Sequence, residues 1–171
     1  MDKPLLSRIS LPLLLFASFA LLASLVPGGP IETRGFSHID PVILAAFNVF
    51  LTTLGITSVV AAFLVRRDSA LAYWASVLIG WCYFLIYVLD LANVFPKSPD
   101  PMPPLLLAIE VIGTILSIPL MGLSVFHAKL ARGTASGVTT SIGWRTVVAL
   151  ILLSIIGTGV VVFATLAAMR G

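Results

Sequence analysis

Two carboxylates stand where an apolar sequence holds them at greatest cost. Glu110 lies about six residues into an apolar run that begins at Leu105, on the order of 9 Å past its start at 1.5 Å per residue. Asp90 lies near the end of the preceding run. An ionised carboxylate in hydrocarbon must be paired, hydrated or protonated, which makes each acid a candidate for function rather than packing. Helical spacing gives both a polar face. Asp90 shares one with Tyr87, Tyr83 and Gly80, and Glu110 shares one with Thr114, Ser117, Met121 and Ser124. On a third run Asn48 follows Pro41 by seven residues and is continued by Thr52 and Gly55. Measured from one membrane boundary, Asn48, Tyr87 with Asp90, and Glu110 fall at similar depths. Three helices are therefore expected to meet around a polar ligand-binding set of Asn48, Tyr83, Tyr87, Asp90 and Glu110, suited to a cation, an amine or a proton-coupled ligand.

The segment from Pro30 to Asp40 is dense in chemistry for its length. Glu32, Arg34, His38 and Asp40 are read as a gate that folds down on the pocket, with Arg34 pairing Asp90, Asp40 or Glu110. The plainer reading is an exposed connector with a local Glu32–Arg34 pair of little energetic weight. A structural reading also exists for the Ser, Thr and Gly positions, which hydrogen-bond helix to helix and let backbones approach. Ser154, Thr158 and Thr165, with Gly157 and Gly159 beside them, fit it best.

Other chemistries find no motif. The two histidines, His38 and His127, are expected on opposite membrane faces, which removes bis-histidine haem ligation and a His-rich zinc site. There is no HExxH, Gly-rich phosphate loop or GxSxG. The single Cys82 has no partner for a disulfide or a CxxC pair. No catalytic residue, cofactor or metal is assigned. Enzyme action on a lipid-like substrate would rest on carboxylates and tyrosines alone.

The elements that must position these groups are five long apolar stretches, at about 9–26, 41–65, 69–94, 105–126 and 144–169. With 59% hydrophobic and 10% charged residues in 171, the chain has too little polar surface for a soluble globule, so lipid is its solvent. The expected fold is all-α: a single integral membrane domain over residues 1–171, built as a bundle of five transmembrane helices. Pro27-Gly28-Gly29-Pro30 closes the first stretch, whose length exceeds a usual signal-peptide core and reads as a retained span. Asp40-Pro41 opens the second, an N-cap followed by proline at the first helical position.

Positive charge sets the sidedness. Lys3, Arg8, Arg66, Arg67, Lys129, Arg132 and Arg145 fall on one side and Arg34, Lys97 and Arg170 on the other. The N-terminus is then cytoplasmic and the C-terminus outside, with Tyr73, Trp74 and Trp144 at the inner boundary. Five of the seven acids, Glu32, Asp40, Asp90, Asp100 and Glu110, lie on or near the outer side. The basic residues are dispersed rather than gathered in a stripe, which argues against nucleic acid. The partners expected are the lipid bilayer and either another membrane protein or further copies of the chain. Compactness points to a prokaryotic plasma membrane. Two functions compete: binding or transport of a small cationic or polar ligand at an outward-facing acidic pocket, and a non-catalytic accessory or assembly role in a larger membrane complex.

Overall fold

The computed structural model describes residues 5–131 and 144–169, and the described chain is helical throughout its regular structure. Its helices are α1 (Leu5–Ser24), α2 (Pro41–Val65), α3 (Ala70–Leu91), α4 (Pro104–Ala131) and α5 (Trp144–Ala168). Lys3, Arg132, Arg170 and the loop from Gly133 to Gly143 lie outside the described residues. α2, α3 and α4 are 25, 22 and 28 residues long. At 1.5 Å per residue each exceeds the roughly 30 Å of a hydrocarbon core. These three are long and apolar enough to cross a membrane, and α1 and α5 contribute the shorter apolar stretches Ile9–Ser24 and Ile155–Ala168.

Local chemistry fixes the helix ends. The Asp40 carboxylate accepts the Val42 N–H at 2.7 Å, and Pro41 starts α2 with its φ already helical. After Val65 the chain reverses through Asp68 at φ 55° and re-enters a helix behind the cap Ser69. α3 ends three residues sooner than the sequence pattern implies. Asn93 takes the left-handed conformation at φ 54°, its N–H reaches Asp90 O at 2.8 Å and the Val94 N–H reaches Leu89 O at 2.9 Å. This is a Schellman closure, with asparagine in the place glycine usually takes. α4 begins on Pro104 and runs through Pro119 to Ala131, five residues beyond the expected end.

α1, α2, α3 and α4 pack in a ring, each on the next and α4 back on α1, while α5 packs on α2 from outside. Among the described residues the main apolar core draws its buried members from the ring, with Leu11, Leu15, Leu54, Ile79, Tyr83 and Leu120 among them. α3 and α4 form the widest contact. The buried face of α4 repeats Glu110, Gly113, Ser117, Leu120, Ser124 and His127 at alternating steps of three and four. The expected stripe of Thr114 and Met121 is only half-buried, and Gly113 and Leu120 take the inner positions.

Two expectations need correction at the end of the bundle where α2 turns into α3. His127 is not in a loop: it lies inside α4, buried, with Nδ1 2.8 Å from Leu123 O and its ring stacked on Tyr73 at 5.4 Å. Tyr73, expected at the inner boundary, turns its ring into the fold rather than outward. It is buried, and its hydroxyl donates to Asp68 at 2.7 Å and Val65 O at 3.3 Å. The need to satisfy a tyrosine hydroxyl inside the fold outweighed its preference for an interface.

Candidate functional site

At the opposite end of the ring the segment from Pro27 to Asp40 folds back over the helix ends. Gly28 adopts φ 81°, and a Cβ there would sit 2.6 Å from the Ala167 Cβ, so only glycine lets the segment lie this close to α5. The Phe36 N–H donates to Ala168 O at 3.0 Å. The Gly35 N–H donates to Asp100 Oδ2 at 2.8 Å, and Ser98 Oγ donates to Gly35 O at 3.1 Å. The segment is thus bound to the loop between α3 and α4 and to the end of α5.

This path buries Arg34. Its guanidinium lies between two carboxylates and uses four of its five N–H donors on them. Nε and Nη2 reach Glu32 at 2.9 and 2.6 Å, while Nη1 and Nη2 reach Asp90 at 2.9 and 2.8 Å. Both pairs are bidentate, the geometry that makes arginine–carboxylate pairs strong and directional. Glu32 also accepts the Arg34 backbone N–H at 3.1 Å, and the Phe36 ring lies 5.4 Å below the guanidinium carbon. Arg34, Glu32 and Asp90 are 4, 5 and 7% exposed, so water does little to screen them. Burial alone would lower the Arg34 pKa, but the hydrogen bonds and charges of Glu32 and Asp90 raise it overall. Arg34 therefore stays charged at any accessible pH.

Beside the cluster lies a cavity of about 50 Å³ whose wall includes Glu32, Asn48, Tyr87, Asp90 and Glu110. Glu110 is 1% exposed, and its Oε2 has no hydrogen-bond partner. The Tyr87 hydroxyl, equally buried, also has none. Asn48 Nδ2 donates to Thr165 Oγ1 at 3.0 Å, which joins the site to α5.

Of the sequence-derived set, Asn48, Tyr87, Asp90 and Glu110 come to one cavity. Tyr83 does not: it stacks on Tyr87 at 6.2 Å, but its hydroxyl is engaged with Ser58 Oγ at 2.9 Å and lies outside the wall. Of the gate residues, Glu32 and Arg34 are in the cluster. His38 and Asp40 are exposed, and Asp40 is occupied in capping α2. Sequence reasoning missed Phe36, whose ring floors the arginine, and the fastening of Gly35 by Ser98 and Asp100. Their only signal was proximity in sequence to Arg34 and to the proline-rich loop. Among the described residues no three of His, Cys, Asp and Glu are grouped to hold a metal ion.

Fold and site together define an all-helical protein with helices apt for a membrane and a buried arginine–carboxylate cluster at one end. The chain belongs to the family described as a domain of unknown function, DUF8051, which matches residues 7–138. No curated protein and no solved structure matches it. The matched stretch contains nearly all of the ring and stops before α5.

Proposed function

We propose that the protein crosses a prokaryotic plasma membrane five times, with its N-terminus in the cytoplasm. Its outward-facing acidic cavity binds or carries a small ammonium-type cation. Seven Lys/Arg against three support the orientation, and Arg34, one of the three, is consumed by ion pairs. One observation carries the functional reading: a fully buried acid, Glu110, presents an unpartnered oxygen to a cavity. One guanidinium there faces three carboxyl groups, and a cation or a proton arriving at Glu110 reduces the imbalance. An ammonium group also supplies the donors that Glu110 Oε2 and Tyr87 Oη lack. The test is equilibrium binding of radiolabelled methylammonium to the protein in nanodiscs. Saturable binding to the wild type should weaken tenfold or more in Glu110→Gln, about 1.4 kcal/mol. Equal binding by both proteins sinks the reading.

An accessory-subunit role is favoured by a different fact, that Arg34 already satisfies Glu32 and Asp90 and holds the end of the ring closed. Crosslinking in native membranes separates the two. A stoichiometric heteromeric partner supports the subunit; monomers or homo-oligomers support the cation site.

A further inference from the structure

α1 and α5 both pack on α2, but not extensively on each other. The space between them is a crevice of about 260 Å³ with α2 as its floor, partly open to the surroundings. Its walls are nearly all apolar: Phe19 and Ala23 come from α1, Ile156, Val160 and Ala164 from α5. A cavity of about 150 Å³ already accepts a benzene ring. α1 and α5 approach this floor closely: a Cβ on Gly55 would lie 3.2 Å from the Phe19 ring, and one on Gly157 would lie 3.0 and 3.1 Å from Ile56 and Thr52.

The crevice borders the acidic cavity. Leu22, Leu25, Pro27, Asn48 and Leu51 line both. Buried, unpartnered Glu110 Oε2 and Tyr87 Oη thus lie on one side of these shared residues and hydrocarbon side chains on the other. From Asn48 to Ile56 the α2 floor spans about 12 Å at 1.5 Å per residue, the length of roughly ten methylenes at about 1.25 Å each. The 50 Å³ head cavity has room for a few water-sized groups at about 10–15 Å³ apiece, and so for one ammonium with a companion water.

We infer that the ligand is a single-tailed amphiphile with a primary ammonium head. The head sits against Glu110 and Tyr87, and an alkyl tail of about eight to ten carbons lies between α1 and α5. Asn48, bonded to Thr165, stands where head and tail join. The head part rests on the cation reading above; the tail part rests on the crevice alone.

The experiment competes unbranched primary alkylamines, from methyl to dodecyl, against radiolabelled methylammonium on the protein in nanodiscs, with concentrations corrected for uptake by empty nanodiscs. Apparent affinity should rise at least a hundredfold from methyl to about decyl and then level off, because the α2 lining of the crevice extends no further than Ile56. Ala164→Phe, which fills the crevice, should cut that gain below tenfold and leave methylammonium affinity unchanged. Ala23→Phe on the opposite, more exposed wall repeats the test if the buried substitution disturbs folding. If methylammonium binds through Glu110 but chain length or crevice filling has no effect, the tail assignment falls and the cation site stands. If methylammonium fails to bind, radiolabelled decylamine is used directly. Binding that is sensitive to Ala164→Phe but not to Glu110→Gln would overturn the head and keep the tail, and no binding overturns both.

Discussion

The ring of α1–α4 and the appended α5 are held by different physics. Within the ring, many buried polar groups are matched, Arg34 with Glu32 and Asp90, Tyr83 with Ser58, His127 with Leu123 O, while Glu110 Oε2 and Tyr87 Oη beside the cavity are not. α5 touches the ring at small residues, as where Gly157 lies against Thr52 and Ile56, and the Asn48–Thr165 side-chain hydrogen bond joins the two. Its Ile155, Ile156, Phe163 and Leu166 are more than half exposed. Polar matching inside an apolar medium specifies one arrangement because every alternative leaves a donor or acceptor unsatisfied. Packing of small residues specifies only a distance of approach. The family match follows the same division, covering the ring and ending before α5.

Substitutions on the two sides of this division should differ in size. Arg34→Ala removes the only guanidinium in the cluster and leaves Glu32 and Asp90 buried without compensation. It should cost about 3–5 kcal/mol of unfolding free energy, read by denaturant titration in detergent. A loss under about 1 kcal/mol would mean that water reaches the cluster and that ring and α5 are less different than they look. Gly113→Ala drives a methyl into the Tyr87 ring, since a Cβ there overlaps its edge. Overpacking of this kind costs about 1–3 kcal/mol, and it should also shift the tyrosine absorbance. On the α5 side, Asn48→Ala deletes the bond to Thr165 and should cost only about 0.6 kcal/mol, the average for hydrogen bonds between membrane helices. A cysteine-crosslink assay between α2 and α5 would show whether that small loss is local. If Asn48→Ala proves as damaging as Arg34→Ala, α5 is an integral part of the ring's polar network.

The sequence and the fold agree where chemistry is local. α2 was legible to the residue because Asp40-Pro41 and Arg66-Arg67 bracket it. α4 was underestimated because His127 and Lys129 look like the edge of a span, whereas His127 is satisfied inside by Leu123 O and the Tyr73 ring. In the site, helical periodicity and depth placed Asn48, Tyr87, Asp90 and Glu110 on one cavity wall. Tyr83 shares the face of Asp90 but sits seven residues earlier, about 10 Å along the axis, too far to join it. A common face is necessary for convergence and a common depth is needed as well. The Arg34–Asp90 pair spans 56 positions, and three candidate acids were open to Arg34. Choosing among them depended on the course of an irregular loop, which no periodicity encodes.

Gly35 is held at both of its flanking peptide groups, its N–H by Asp100 and its C=O by Ser98. Arg34 is its immediate neighbour, so the backbone that carries the guanidinium moves away only as those two bonds let go. The rate at which the Gly35 amide exchanges its proton for deuterium therefore reports each opening of that backbone.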